Sequence, residues 1–148
     1  MNRAIFIVGA ALLGFGFVQT QQPRSDDASS SLPRYRVAFD LTSRDSLDQK
    51  AVMRWIKEVT TASPEAEIEV VMYAKGFELV MPEKSTVVDD VKAAVANPKV
   101  VFKVCAVALK NNKVEVSQLL PGVRTVPDGI YELVVKQQDG WGYIKVSH

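Results

Sequence analysis

Reactive side chains are scarce in this chain. One cysteine, Cys105, and one histidine, His148, occur in 148 residues. A lone thiol excludes an internal disulfide, so stability must come from a packed core. One Cys and one His do not fill a tetrahedral zinc site without carboxylates. Asp89-Asp90 offers none at the right geometry, because adjacent helical residues point in different directions. No metal and no organic cofactor is expected. A Cys–His nucleophilic pair needs a base within hydrogen-bond reach, and the only histidine is the final residue.

Excess charge is lacking too. Lys and Arg number 18 against 17 Asp and Glu. Without Met1–Thr20 the chain loses Arg3 and no acid, and the two signs balance. Nucleic-acid binders carry a basic patch or stripe, so no nucleic-acid partner is expected. No glycine-rich phosphate loop follows a strand. Gly9, Gly14 and Gly16 fall in the apolar head, and Pro121-Gly122 and Asp128-Gly129 read as turns.

The long apolar run is Ala4–Val18, preceded by Arg3 and followed by Gln19-Thr20-Gln21-Gln22. It is shorter than the roughly 17–25 residues of a spanning helix. A basic head, an apolar block and a polar exit form an export signal. Residues 1–20 are read as a signal peptide, with an N-terminal anchor as the alternative. The mature protein is expected to be periplasmic or secreted, with no membrane contact beyond that segment. Residues 21–33 are rich in Ser, Asp and Pro, cannot bury enough surface to offset chain entropy, and read as a flexible tether. Residues 34–148 form the domain.

Within it, Tyr35, Val37, Phe39 and Leu41 alternate as a strand. Ser46-x-x-Gln49 fits a capping box, and Leu47, Ala51, Val52, Trp55, Ile56 and Val59 fall at helical spacing, with Trp55 in the core. Glu67–Tyr73 is the second strand. Thr86-x-x-Asp89 fits a cap for a helix whose inward face is Val87, Val88, Val91, Ala94 and Val95. Val100–Val104 is apolar enough for a central parallel strand, and Ala106–Lys110 is a short helix. Val123–Val126 and Trp141–Val146 are the outer strands. Between them Pro127 suits the first turn of a helix, along which Ile130, Leu133, Val134 and Gln137 fall at helical spacing. Phe77–Met81 is an apolar loop and a candidate subunit contact, with ordinary burial as the alternative. Trp141 and Tyr143 are expected to pack against a helix or another subunit. Alternating strands and helices predict an α/β fold: a single-domain three-layer sandwich with a mostly parallel sheet of about five strands and helices on both faces.

Several short motifs keep order: Ala96-Asn97-Pro98-Lys99-Val100 before Cys105, then Leu119-Leu120-Pro121-Gly122-Val123, Val126-Pro127-Asp128-Gly129, and Gln137-Gln138-Asp139-Gly140-Trp141-Gly142-Tyr143-Ile144-Lys145. Together they resemble the exported branch of the DsrE/DsrF-like sulfur-relay family, over roughly Tyr35 to Lys145. The resemblance implies a parallel α/β fold that assembles as trimers or hexamers. It also implies a persulfide on the cysteine after the third strand, which maps onto Cys105. A sulfur donor or acceptor protein, or a small thiol, would be the partner. This chain departs from the family at Val107-Ala108, where an Asn-Thr pair is common, and at Ala74-Lys75-Gly76, where a His-Gly turn is common.

The residues themselves leave two readings of Cys105 open. A thiol at a strand end beside a helix start is favoured as the thiolate. Lys75 would add positive charge, whereas alternation is taken to turn Lys103 away. Against this, free cysteine is among the most buried residue types, and Val104, Ala106 and Val107 surround it. The candidate site is therefore Cys105 as nucleophile, with Lys75, Gly76, Val126, Pro127 and Asp128 lining a ligand cleft. The two functions in view are sulfur carriage on Cys105 and a noncatalytic oligomeric binding or assembly module in which Cys105 is structural.

Overall fold

The computed structural model describes residues 35–147. The signal-peptide and tether readings lie outside the described residues, as does His148. The elements are β1 (Arg36–Leu41), α1 (Ser46–Ala62), β2 (Glu67–Met72), α2 (Val88–Val95), β3 (Val100–Cys105), α3 (Ala106–Asn111), β4 (Arg124–Val126), α4 (Gly129–Gln138) and β5 (Gly142–Lys145). The five strands are all parallel, in the order β4-β3-β2-β1-β5. The two outer strands are the ones expected.

The order fixes where the helices go. From β1 to β4 each connection steps one strand in the same direction. Parallel crossovers are right-handed, so α1, α2 and α3 share one face. The connection from β4 returns across the whole sheet to β5, in the opposite sense, and puts α4 on the other face. The first face is apolar: Val37, Phe39, Leu41, Ile68, Val70 and Phe102 pack beneath Val52, Ile56, Val91 and Leu109. Trp55 joins this core against Phe39, with ring centroids 6.0 Å apart.

The second face is different. Ala38, Val71 and Leu133 form its small apolar cluster. Around them Glu69, Lys103, Glu132 and Lys136 form a charge network. Lys103 Nζ lies 2.8 Å from Glu69 Oε2 and 2.6 Å from Glu132 Oε1, and Lys136 Nζ lies 3.1 Å from Glu69 Oε2. Burial raises the Glu69 carboxyl above its ordinary value, against the pull of both lysines. Burial pushes Glu132 the same way, but Lys103, Glu69 and Lys136 together bring it below.

Four local readings are corrected. Asp45, not Ser46, caps α1: its Oδ1 accepts from Leu47 N at 2.7 Å. Gln49 closes no capping box, because its Oε1 accepts from Thr86 N and Oγ1 at 2.8 and 2.9 Å, which also diverts Thr86 from capping α2. Phe77–Met81 is no exposed contact: Gly76–Val80 form a buried 3-10 helix, and Phe77, Leu79 and Val80 lie in the main core. Asp128 caps α4 in place of Pro127 opening it. Helix α4 turns Leu133 inward with Glu132 and Lys136, whereas Ile130 and Val134 are exposed. The helix matches the charges of the sheet beneath it, so Ile130 and Val134 face outward while Leu133 packs inward.

Candidate functional site

The loop leaving β3 runs to α3 on one face, and the loop leaving the neighbouring β4 runs to α4 on the other. Adjacent strands whose connections part in this way open a crevice at their carboxyl ends, where open α/β sheets bind ligands. Here that point lies between Cys105 and Val126, which are register partners. Val126 thus stands beside Cys105, and Pro127 and Asp128 follow it in the chain and lead into α4.

Gly129 closes the contact. A Cβ there would stand 3.2 Å from Cys105 Cβ and 3.3 Å from Tyr73 Cβ, so glycine lets the start of α4 sit against both without crowding. Asp128 Oδ1 accepts from Ile130 N at 2.7 Å and Tyr131 N at 3.1 Å, so its carboxylate fills the first turn of α4. Cys105 is 5 % exposed. It stands at the N-cap position of α3, which has no side-chain cap.

Lys75 and Gly76 are not part of this crevice. Lys75 Nζ donates to Asn112 Oδ1 at 2.5 Å. Asn112 follows the last turn of α3, about 9 Å of helix away from its Cys105 end. Gly76 is buried, and a Cβ there would stand 2.0 Å from the Leu41 carbonyl oxygen. Its need for glycine is a close approach of two backbones. Between β2 and this turn, Ala74 has a left-handed φ of 50°, a conformation that costs a non-glycine residue of order 1 kcal/mol. Lys103 does not point away from Cys105's side. Two residues apart on β3, both belong to the α4 face, and Lys103 is committed to Glu69 and Glu132.

Sequence reasoning missed a polar cluster around Asp40 of β1. The buried Asp40 accepts from Tyr143 Oη at 2.7 Å, Tyr73 Oη at 3.3 Å and Lys145 Nζ at 3.1 Å, and Lys145 also reaches Thr42 Oγ1 at 2.8 Å. The hydrogen bond to Asp40 pushes Tyr143 up to about 12. Burial and the same carboxylate raise Tyr73. Tyr73 links this cluster to the crevice, since its ring lies against Gly129. The available signal was a carboxylate set in a strand of otherwise apolar neighbours, Ala38-Phe39-Asp40-Leu41. Among the described residues no three His, Cys, Asp or Glu side chains gather as a metal site requires, and no helix is long and apolar enough to cross a membrane.

A scan against protein-family models finds no match, and a search of curated proteins finds none. Among solved structures, a protein of unknown function from Methanobacterium thermoautotrophicum is similar, with a TM-score of 0.70 and 27% identity. The alignment covers 75% of this chain and 98% of that one. The α/β architecture is thus shared with an independent chain of similar extent.

Proposed function

We propose that the chain is an exported DsrE-like protein whose crevice between β3 and β4 serves as a noncatalytic binding or assembly site, with Cys105 as part of its wall. The observation that carries this reading is the burial of the sulfur-bearing residue. Cys105 is 5 % exposed, belongs to the main core cluster, and has Gly129 packed against its Cβ. The nearest predicted cationic helper, Lys75, is engaged by Asn112. A carrier thiolate needs solvent access and a partner that favours its charge.

Apolar surface beside the crevice supports the assembly half of the reading. Ile130 and Tyr131, in the first turn of α4, are 59% and 70% exposed, and Val107 at the start of α3 is exposed as well. This face takes the place of Phe77–Met81 as the candidate contact in a trimer or hexamer.

Sulfur carriage on Cys105 is the second reading. It is favoured by the thiol's position at the topological switch and at an α3 start with no side-chain cap. Thiol alkylation of the native protein across pH separates the two. The structural reading expects Cys105 to react only after unfolding, and no one-sulfur mass adduct after polysulfide treatment. Rapid native alkylation with a midpoint below about 8.5, together with that adduct, would replace it by the carrier reading.

A further inference from the structure

At the amino ends of β2, β3 and β4, away from the Cys105 crevice, the α4 face carries a groove of about 350 Å³. That lies within the range of small-molecule sites, about 300–1,000 Å³. Its lining includes Glu69, Lys99, Lys103, Arg124, Lys136 and Trp141. Two features of it are unexplained by folding. Glu69 is 2 % exposed, and both lysines bond the same oxygen, Oε2; its other oxygen, Oε1, is buried and receives no donor. A buried acceptor left unmatched costs about 1–3 kcal/mol. Beside it, Arg124 is register partner to Lys103 on the same sheet face, and it is exposed. None of the ion pairs found among the described residues involves Arg124, although Glu65 and Glu67 line the same groove.

We propose that this groove binds a small hydroxycarboxylate. The carboxylate sits on the Arg124 guanidinium, whose planar fork suits it. The hydroxyl donates to Glu69 Oε1. A neutral donor fits better than an ammonium, because Lys103 and Lys136 already stand beside Glu69 and a third cation would meet both. Trp141 forms the wall, its ring held by Lys136 Nζ at 4.3 Å from the centroid. The inference is independent of the crevice reading, since it uses the opposite edge of the sheet and no atom of Cys105.

The chain carries two tryptophans, and they provide the test. Trp141 lines the groove, and Trp55 packs on the other face against Phe39. Lactate titrated into the ¹⁵N-labelled protein should move the Trp141 indole N–H signal saturably and leave that of Trp55 in place. Propionate, which lacks the hydroxyl, should bind at least about tenfold more weakly. Arg124→Gln, at an exposed position, should keep the fold and weaken lactate by a similar factor. A Trp141 signal indifferent to lactate would overturn the proposal. So would equal binding of lactate, propionate and sulfate, which would mean that a proton shared with Glu132 fills Glu69 Oε1 and that the groove attracts any anion.

Discussion

Replacing Lys103 by methionine keeps an unbranched side chain one atom shorter and removes the ammonium. The lost groups are specific: a 2.8 Å contact to Glu69, whose side chain is almost wholly buried, and a 2.6 Å contact to Glu132. Breaking a buried pair by deleting one partner costs about 3–5 kcal/mol, because the other charge stays desolvated. Here Lys136 remains 3.1 Å from the same Glu69 oxygen, so the expected loss is lower, about 2–3 kcal/mol. For a domain of about 110 residues that lowers the melting temperature by roughly 10 °C. Guanidinium unfolding is the assay, read as a shifted midpoint at constant slope. Adding Glu69→Leu to Lys103→Met removes the stranded carboxylate and should recover part of the loss, a positive coupling in the double-mutant cycle. A Lys103→Met protein within about 0.5 kcal/mol of the parent would refute the reasoning, since it would mean that water already solvates the charges under α4.

Two further outcomes follow from the geometry. Gly76→Ala puts a methyl group 2.0 Å from the Leu41 carbonyl oxygen, a backbone atom that cannot step aside, and should cost more than about 2 kcal/mol in urea unfolding; a neutral effect would mean that the turn after β2 is free to move. Tyrosinate absorbance should keep rising until about pH 12, and Tyr143→Phe should remove that last step. The sign follows from the direction of the shift. A folded-state value raised above the ordinary 10.0 stabilises the fold fully below pH 10 and loses that contribution as pH climbs through about 12. Tyr143 is 43% exposed, so screening holds the contribution to under about 1 kcal/mol.

The apolar half of the architecture was legible because its residues follow the period of their elements. Val37-Phe39-Leu41 and Val52-Ile56 face one another across β1 and α1 as their spacing predicts. The other half was not, and α4 shows why. Periodicity selects the face that carries the most apolar side chains, here Ile130 and Val134. The helix instead answers to the sheet below it, where Glu69 and Lys103 alternate with core residues along β2 and β3 and draw Lys136 and Glu132 inward. A charge paired across sequence distance carries no local signature. The same limit hid Asp40, whose partners Tyr73, Tyr143 and Lys145 come from two other strands. At the sheet's carboxyl edge, Cys105 and Val126 stand side by side because each ends a strand. Lys75 was misplaced because sequence gives the end of β2 and not the direction of a long side chain.

One topological event links these features. The return from β4 to β5 sends a single helix across the second face. Running along the strands, α4 with its side chains is about 10–12 Å wide, while five strands about 4.8 Å apart make a sheet some 19 Å wide. One helix cannot cover that area, so an apolar surface there would stay wet at both flanks. Charged and phenolic residues occupy those flanks instead: Asp40, Tyr143 and Lys145 on the β5 side, Glu69, Lys103 and Arg124 toward β4. The departure of α4 also parts the loops after β3 and β4 and so creates the crevice beside Cys105. Both candidate ligand sites are thus consequences of the same crossover, one at each end of the helix that makes it.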